Sequence, residues 1–576
     1  MKLLKVLVDE KPVKVELGYT VMQTCAQAGV EIPRFCYHDK LLIAGNCRIC
    51  LVEVAGSKKL VASCAVHSTD SMVIFTNTVR VRLARQHVLE FLLANHPLDC
   101  PICDQGGECD LQDIASVFGA DRGRFYEFEK RAVLNKDFGP LIRTSMNRCI
   151  HCTRCVRFLA HSSGAAVLGT LGRGASTEIS LYINSFISDE LSGNITDLCP
   201  VGALTSKPYS FQARPWELVS VESVDVFDSL NSTMVVDVFA NRISRILPYA
   251  NEQINECWLS NRARYAYDGL FVQRLSTCLL KVHFKFLSSD ILAYRVLCSQ
   301  FYIKLSWAAA VSVFFSKLLS DRIIRFSAAI GGLLDLEAVI GAKGLFEQLG
   351  ALAVTEFESG SYVSDFTFLY LFNTSVIKLA KLPTFCLLVG VNLRLDAPVL
   401  NLRLSALVNQ FDVPVYRIGG SPNFFSFKTK YLSNNMQSFF NIMEFKHEFC
   451  KNFYIPAFYG FPFILIGHTA VSSFCEQFFV GSILNFLGLL GRLIPMISLN
   501  SFESFSFFGF LHNYSGRIHT HDAGFCQNMS FVTGKEIYRS ADCASAIGHR
   551  SAILYSLGFD SFGLQELATM LIGSNA

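Results

Sequence analysis

The cysteines of this chain are concentrated in its amino-terminal third, and this constrains the fold more than any other feature. More than half of the 20 cysteines in the 576 residues lie before residue 200. They form closely spaced groups, whereas the cysteines after residue 200 are scattered. Met1–Val8 is too short for a signal-peptide core, so we expect a reducing compartment. In such a compartment, grouped cysteines bind metals more often than they form disulfides.

The first group predicts a ferredoxin of the β-grasp type. Met1–Val8 is a predicted strand, Val13–Glu16 is its hairpin partner, and Thr20 with Gln23 is a capping-box signature for a helix that ends near Gly29. A C-x10-C-x2-C-x13-C pattern follows, formed by Cys36, Cys47, Cys50 and Cys64. Four thiolates can hold one [2Fe–2S] cluster. A structural zinc ion is the alternative for these ligands.

The second group contains one histidine and three cysteines. It follows a helical pattern over Val79–Leu93 that Pro97 stops. Its members are His96, Cys100, Cys103 and Cys109. Three cysteines are one thiolate short of a full set for a [4Fe–4S] cluster, and the histidine supplies the fourth donor. Gly106 and Gly107 let the chain wrap closely around the cluster; a zinc ion is again the alternative.

The third group has the C-x2-C-x2-C spacing of bacterial ferredoxins and a distant Cys–Pro end. Its members are Cys149, Cys152, Cys155 and Cys199. Because Leu159 stands where a two-cluster ferredoxin has its next cysteine, we expect one [4Fe–4S] cluster here, with zinc as the alternative. Three arginines either offset the negative charge of this cluster or form a solvated basic face; they are Arg148, Arg154 and Arg157.

The remaining cysteines have no metal-binding spacing. Cys25 lies within the first predicted helix, and we expect it to be a buried apolar side chain. The same is expected of the scattered cysteines after residue 200, which are Cys257, Cys278, Cys298, Cys386, Cys450, Cys475, Cys526 and Cys543.

The carboxy-terminal part of the chain is hydrophobic, but its pattern favours an α/β domain. Hydrophobic residues make up 51% of the chain and charged residues 17%, which excludes a disordered protein. A membrane span needs about 20 consecutive apolar residues, and the candidates Phe461–Phe474 and Phe478–Gly491 are interrupted by His468 and ended by Arg492. A transmembrane helix and an amphipathic surface helix are the alternatives to a soluble domain. Shorter runs such as Phe385–Val391 and Phe463–Ile466 predict buried parallel strands. A net charge of +3 gives no basic face for nucleic acid.

The three cysteine motifs and the sequences around them resemble those of the largest iron–sulfur subunit of respiratory complex I. This family comprises the 75-kDa subunit of mitochondria and its bacterial counterpart. The matching stretches are GVEIPRFCYHDKLLIAGNCRICLVEV, NHPLDCPICDQGGECDLQD and MNRCIHCTRCVRF. The resemblance continues through ITDLCPVGALTSKPYSFQARPWEL into a domain similar to the molybdopterin oxidoreductases.

The resemblance implies an α+β part followed by an α/β part. It places a β-grasp [2Fe–2S] ferredoxin domain at 1–78, a His(Cys)3-ligated [4Fe–4S] domain at 79–118 and a ferredoxin-like [4Fe–4S] region at 119–213. A molybdopterin-oxidoreductase-like domain without metal cofactor takes up 214–576. The family's cluster ligands fall on the three groups described above, and every ligand position is filled.

The implied function is electron transfer as a subunit of NADH:ubiquinone oxidoreductase, in an obligate hetero-oligomer. Electrons from NADH and FMN on partner flavoprotein subunits would pass through one [2Fe–2S] and two [4Fe–4S] clusters toward quinone-side iron–sulfur subunits. The whole complex couples this transfer to proton translocation. We expect no catalytic residue and no FMN, NADH or molybdopterin on this chain. Because Val221–Leu259 contains only Cys257, we expect the additional cluster of some bacterial members to be absent.

The resemblance also implies a location at a membrane without a span across it. The many phenylalanines, 50 in all, have A/T-rich codons, and Met1–Val8 is not an Arg/Ser-rich transit peptide. We therefore expect a mitochondrially encoded subunit in the matrix-side peripheral arm, at the inner membrane. The cytoplasmic face of a bacterial membrane is the alternative. Alternative functions are a hydrogenase-type or formate-dehydrogenase-type iron–sulfur subunit and a zinc-stabilised scaffold.

Overall fold

The computed structural model describes most of the amino-terminal half of the chain and separate segments of the carboxy-terminal half. The described residues are 3–126, 130–182, 186–227, 230–272, 277–282, 301–320, 327–330, 336–348, 353–356, 385–444, 446–450, 463–467, 508–511 and 556–557. Predictions for Phe478–Gly491, for most of Phe461–Phe474 and for four cysteines lie outside this set; the cysteines are Cys298, Cys475, Cys526 and Cys543.

The amino-terminal region is a mixed sheet with one helix packed on it, as predicted. β1 (Leu3–Val8) and β2 (Lys11–Glu16) form an antiparallel hairpin, and both residues of its turn have positive φ. α1 (Val21–Gln27) begins at the predicted capping box. The other strands are β3 (Leu51–Val54), β4 (Val61–Ala62) and β5 (Val73–Phe75). The sheet order is β2-β1-β5-β3-β4, with β1 and β5 parallel.

Two helices frame the second cysteine group. α2 (Val79–Ala94) begins at a cap from Thr78 and ends just before Pro97, in agreement with the predicted range. α3 (Asp110–Phe118) packs against α2. A buried cluster at this point combines residues from all three cysteine-bearing regions, namely Phe35, Ile49, Leu89, Cys109, Leu111, Val201 and Ala203. The three regions therefore share a core.

The third cysteine group lies among short elements. The strands are β6 (Ile142–Thr144), β7 (Leu168–Leu171), β8 (Glu178–Leu181) and β9 (Leu204–Ser206), and the helices are α4 (Arg154–Arg157) and α5 (Asn194–Leu198). β6 pairs with β9 and β7 with β8, both antiparallel. The first three cysteines of the group lie between β6 and the end of α4, and the fourth caps α5.

A three-stranded antiparallel sheet follows, with a short helix behind it. Its strands are β10 (Val219–Val224), β11 (Thr233–Phe239) and β12 (Arg242–Pro248), and the helix is α6 (Asn261–Tyr265). Arg245 on β12 is paired with the buried carboxylate of Asp237 at 2.8 Å and with Glu108 at 2.7 Å. The second pair ties this sheet to the loop of the second cysteine group.

The carboxy-terminal part contains further strands and helices. The described strands are β13 (Cys278–Val282), β14 (Phe301–Leu305), β15 (Ser327–Ile330), β16 (Ala353–Glu356), β17 (Cys386–Val389), β18 (Val415–Ile418), β19 (Lys430–Ser433), β20 (Phe463–Gly467), β21 (Phe508–Leu511) and β22 (Ser556–Leu557). The described helices are α7 (Trp307–Ser320), α8 (Leu336–Gln348), α9 (Leu393–Asp396), α10 (Pro398–Phe411) and α11 (Met436–Met443). None of the helices in the described residues is long and apolar enough to cross a membrane.

Parallel sheets dominate this part, as the apolar runs predicted. β17 and β20 are completely buried and pair in parallel. They form the centre of a five-stranded parallel sheet of order β19-β18-β17-β20-β21, and β16-β15-β22 form a second parallel sheet. The predictions of buried strands over Phe385–Val391 and Phe463–Ile466 are confirmed.

The parallel-sheet part packs directly on the ferredoxin-like region. One continuous hydrophobic core contains Phe158, Leu159 and Trp258 together with Leu400 and Leu404 of α10. The Arg403 guanidinium, also on α10, donates hydrogen bonds to backbone carbonyls of the loop that follows β12. The two parts therefore share buried apolar surface as well as polar contacts.

Candidate metal centres

The four cysteines of the first group come together in the loops next to α1, β3 and β4. Cys36 lies in the loop after α1, Cys50 directly precedes β3, and Cys64 follows β4. The Sγ atoms of Cys50 and Cys64 are 3.4 Å apart, and the Cys36 N–H donates to the Cys47 Sγ at 3.5 Å. Gly45 has a φ of 65°, which allows the tight loop that precedes the second ligand.

Hydrogen bonds among the thiols of the first group favour the thiolate form of one cysteine and disfavour it for its partners. Hydrogen bonds from Cys47 and Cys64 hold the pKa of the Cys36 thiol well below its usual value, while the same contacts raise the pKa of both donors. Four thiolates in this buried space would repel one another, and burial would further disfavour each negative charge. A bound metal relieves that repulsion and keeps all four deprotonated. The donor set therefore fits a thiolate-ligated cluster.

The second group surrounds a cavity of about 150 Å³. His96, Cys100, Cys103 and Cys109 all line it, beside Arg148 and Gly202 of the third region. Burial, with Lys130 and Arg148 nearby, lowers the pKa of His96, so its imidazole is neutral near pH 7 and able to bind a metal. The Lys130 ammonium donates to the His96 carbonyl at 2.6 Å and steadies the end of α2.

The two glycines of the second group have a packing role that the sequence did not reveal. A Cβ atom at Gly106 would lie 2.7 Å from Nη1 of Arg214, and one at Gly107 would lie 2.6 Å from the ring of Trp216. Arg214 in turn donates hydrogen bonds to the carbonyls of Pro101 and Cys103. Because these two residues have no side chain, Arg214 and Trp216 can pack against the loop that carries the ligands. The stretch that carries these side chains, ARPWEL, gave no local signal of this contact.

The third group lines a small, mainly apolar cavity. Its walls contain all four cysteines together with Ile179 and Leu204. Burial raises the pKa of three of the thiols to about 11, namely Cys149, Cys152 and Cys199. Burial also raises the pKa of the Cys155 thiol well above its usual value. Such thiols stay neutral without a cation beside them, so the set is suited to metal binding.

The ligand loops of the third site contact those of both other sites, although its motif comes last along the chain. Asn46 of the first loop donates to the His151 carbonyl at 2.9 Å, and the His151 N–H lies 3.4 Å from the Cys149 Sγ. On the other side, the Cys109 Sγ is 3.8 Å from the Pro200 carbonyl, next to Cys199. Through these contacts between ligand loops, the third site connects the first site to the second.

The arginines of the third motif are buried, so the interpretation as a solvated basic face is wrong. Arg148, Arg154 and Arg157 are 9%, 6% and 8% exposed. Their side chains point into the protein because backbone carbonyls of the neighbouring loops accept hydrogen bonds from them. The positive charges consequently lie among the three cysteine groups.

Where the structure describes the cysteines outside the groups, three are buried as expected and two are only partly buried. Cys25 in α1 is fully buried, Cys386 and Cys450 are buried, and Cys257 and Cys278 are half-buried. Among the described residues, no three His, Cys, Asp or Glu side chains converge on a point as the ligands of one ion do. The second and third groups instead line cavities.

Sequence models of known families match consecutive parts of the chain. They are described as the 2Fe-2S iron-sulfur cluster binding domain (residues 2–79), the NADH-ubiquinone oxidoreductase-G iron-sulfur binding region (85–124), the NADH-quinone oxidoreductase subunit 3 ferredoxin-like domain (139–205), the NADH-ubiquinone oxidoreductase NDSU1/NuoG-like 4Fe-4S domain (218–268) and molybdopterin oxidoreductase (300–556). Their order confirms the predicted fold class. It also confirms that the chain contains [2Fe–2S]- and [4Fe–4S]-binding domains.

Several similar proteins are named as subunits of NADH-ubiquinone or NADH-quinone oxidoreductase. The NADH-ubiquinone oxidoreductase 75 kDa subunit of Reclinomonas americana is 47% identical over 78% of this chain and 64% of its own length. The same subunit of Acanthamoeba castellanii is 44% identical over 81% of this chain and 66% of its own length. A bacterial relative, an NADH-quinone oxidoreductase subunit of Rickettsia typhi, is 41% identical over 81% of this chain and 66% of its own length. The matches thus span somewhat less than two thirds of these relatives.

One solved structure is described as an NAD+-reducing [NiFe]-hydrogenase in the H2-reduced state. It is 27% identical and covers 36% of this chain and 90% of its own, with a TM-score of 0.34, too low to support a structural argument. The fold and its three donor sets define an iron–sulfur protein. More narrowly, the chain belongs to the family of NADH-ubiquinone oxidoreductase 75 kDa subunits, which includes bacterial NADH-quinone oxidoreductase subunits.

Proposed function

We propose that this chain is the iron–sulfur electron-transfer subunit of an NADH:ubiquinone oxidoreductase. It accepts electrons that originate from NADH and FMN on partner flavoprotein subunits and passes them toward quinone-side iron–sulfur subunits. The observation that carries this proposal is the contact of three cysteine-rich donor sets in one continuous series, through Asn46 on one side and Pro200 on the other. Proton translocation belongs to the whole complex.

The ligands are assigned as the sequence predicted. The first group holds one [2Fe–2S] cluster and the second and third groups hold one [4Fe–4S] cluster each, and such clusters supply one-electron redox chemistry when bound. The chain itself places the clusters, excludes water through the shared apolar core, and directs N–H groups toward the cysteine sulfurs. We propose the division into domains at 1–78, 79–118, 119–213 and 214–576.

The proposal also covers location and partners. The subunit lies in the peripheral arm on the matrix side of the mitochondrial inner membrane, or on the cytoplasmic face if the source is bacterial. It binds no FMN, NADH or molybdopterin of its own. The segment matched by the NDSU1/NuoG-like model contains Cys257 alone among cysteines, so we assign no cluster to it.

Metal analysis of the purified chain tests the assignment. We expect about ten irons and about ten acid-labile sulfides per chain, the sum of one [2Fe–2S] and two [4Fe–4S] clusters. Chelation-resistant zinc at about three ions per chain, with little iron, would support a zinc scaffold and contradict the proposal. Stoichiometric molybdenum would indicate an enzyme of the formate-dehydrogenase type.

A His96→Cys substitution tests the histidine ligand. We expect the second cluster to be retained with a lower midpoint potential, because a thiolate adds a negative charge that a neutral imidazole lacks. A redox titration followed by EPR measures the shift, and His87→Cys on α2, the helix that precedes His96, is the control. If the midpoint potential of the second cluster is unchanged in His96→Cys, His96 is not a ligand.

A further inference from the structure

Arg157 connects the first site to the third. Its guanidinium donates hydrogen bonds to the carbonyls of Cys36 and Leu42 in the first loop, and to the Cys152 carbonyl at 3.1 Å in the third. Two of these carbonyls belong to cluster ligands. One planar group with a fixed set of donors therefore holds both loops at a fixed separation.

Arg148 makes the corresponding connection between the third and second sites. Its Nε donates to the Asp99 carboxylate at 3.0 Å, directly before the ligand Cys100. Its Nη1 lies 3.4 Å from the carbonyl of Gly202, in the loop that follows Cys199. Arg148 itself precedes Cys149 and lines the cavity of the second group.

Arg154 is placed between these two and reaches all three regions. It donates to the Tyr37 carbonyl at 2.8 Å and to the Leu198 carbonyl at 3.2 Å. Its Nη1 is 3.7 Å from the carboxylate of Asp110, next to the ligand Cys109. Because it contacts every region, its substitution cannot distinguish one pair of sites from another.

We infer that Arg157 and Arg148 are positioning residues, each for one of the two electron-transfer steps within the chain. This inference rests on the proposed function. A buried positive charge raises the potential of a neighbouring cluster, because net charge and hydrogen bonding help set that potential. Arg157 acts on the first and third sites, and Arg148 acts on the third and second.

The test is a redox titration of the complete, cluster-loaded chain, followed by EPR. Arg157→Gln removes the charge, and Arg157→Lys keeps the charge but not the planar group of donors. The same pair of substitutions is made at Arg148. Arg173→Gln, an exposed arginine in the same region, is the matched control.

We expect a different pattern from each arginine. Arg157→Gln should lower the midpoint potentials of the first and third signals and leave the second unchanged. Arg148→Gln should lower the third and second and leave the first unchanged. The lysine variants should shift the same two potentials by less, because they keep the charge but lose the planar set of donors, and Arg173→Gln should shift none. Loss of iron from only the sites that an arginine joins also supports the inference.

Other outcomes overturn it. Equal shifts at all three sites, the same pattern for both arginines, no shift, or loss of all three clusters would each show that these arginines only support the fold. If a glutamine variant gives no soluble protein, the lysine variant decides: a shift or a loss of iron confined to the two sites that the arginine joins supports the inference, and no change at any site or a change at the remote site contradicts it. A wild-type chain without three distinct signals would instead contradict the proposed function.

Discussion

Gly202→Ala should remove the second cluster and leave the other two in place. A Cβ atom at this position would lie 2.2 Å from the Cys103 Sγ and 3.1 Å from the Cβ of Gln105. Carbon and sulfur atoms do not approach so closely, and Gly202 is held by its contact with Arg148, so the ligand Cys103 must be displaced. We expect iron to fall from about ten to about six per chain, with loss of the second EPR signal.

Gly169→Ala is the matched control for this substitution. Gly169 lies on β7 in the ferredoxin-like region, and a Cβ atom there would meet no atom within 4 Å. This variant should keep all of its iron. If Gly202→Ala also keeps about ten irons and an unchanged second signal, the close approach between the second and third loops is wrong.

Cys152→Ala should interrupt electron transfer in the middle of the series. Cys152 is buried in the third site, whose loops contact those of the other two sites. We expect only the third EPR signal to be lost, with iron again falling from about ten to about six. When the chain is reduced through its first site, the second site should no longer be reduced on the timescale of turnover. Rapid-freeze EPR measures this step.

Cys25→Ala is the control for a buried cysteine without a ligand role. Cys25 lies in α1 and is fully buried, but it is outside the three groups. The control should keep all three signals and the transfer of electrons to the second site. Loss of the [2Fe–2S] signal in Cys152→Ala, with the third signal retained, would contradict the ligand assignment.

Local patterns in the sequence were sufficient for the elements that carry the ligands. The capping box at Thr20 depends on residues three apart, and the structure has the same helix start. The stop of α2 before Pro97 and the buried strand β20 follow from equally short-range rules. The division into an α+β part and an α/β part followed from these elements together with the family resemblance.

The arrangement of the sites could not be derived in this way, because it depends on contacts between distant residues. Arg157 and the Cys36 carbonyl are 121 residues apart. The contact of Gly202 with Cys103 likewise joins two loops of different groups. The spacing of the arginines in the third motif is the same whether water or buried carbonyls surround their side chains. Only tertiary packing distinguishes a solvated face from a buried one.

The position of the third site has a consequence for biogenesis. Its last ligand, Cys199, follows every other cluster ligand in the chain, although the site lies in the middle of the series. During synthesis, the two outer sites can acquire their ligands before the site that connects them is complete. We expect that a growing chain cannot pass electrons between its outer sites until its ferredoxin-like region is complete. An unfinished subunit then cannot conduct electrons from one end to the other and release them to oxygen.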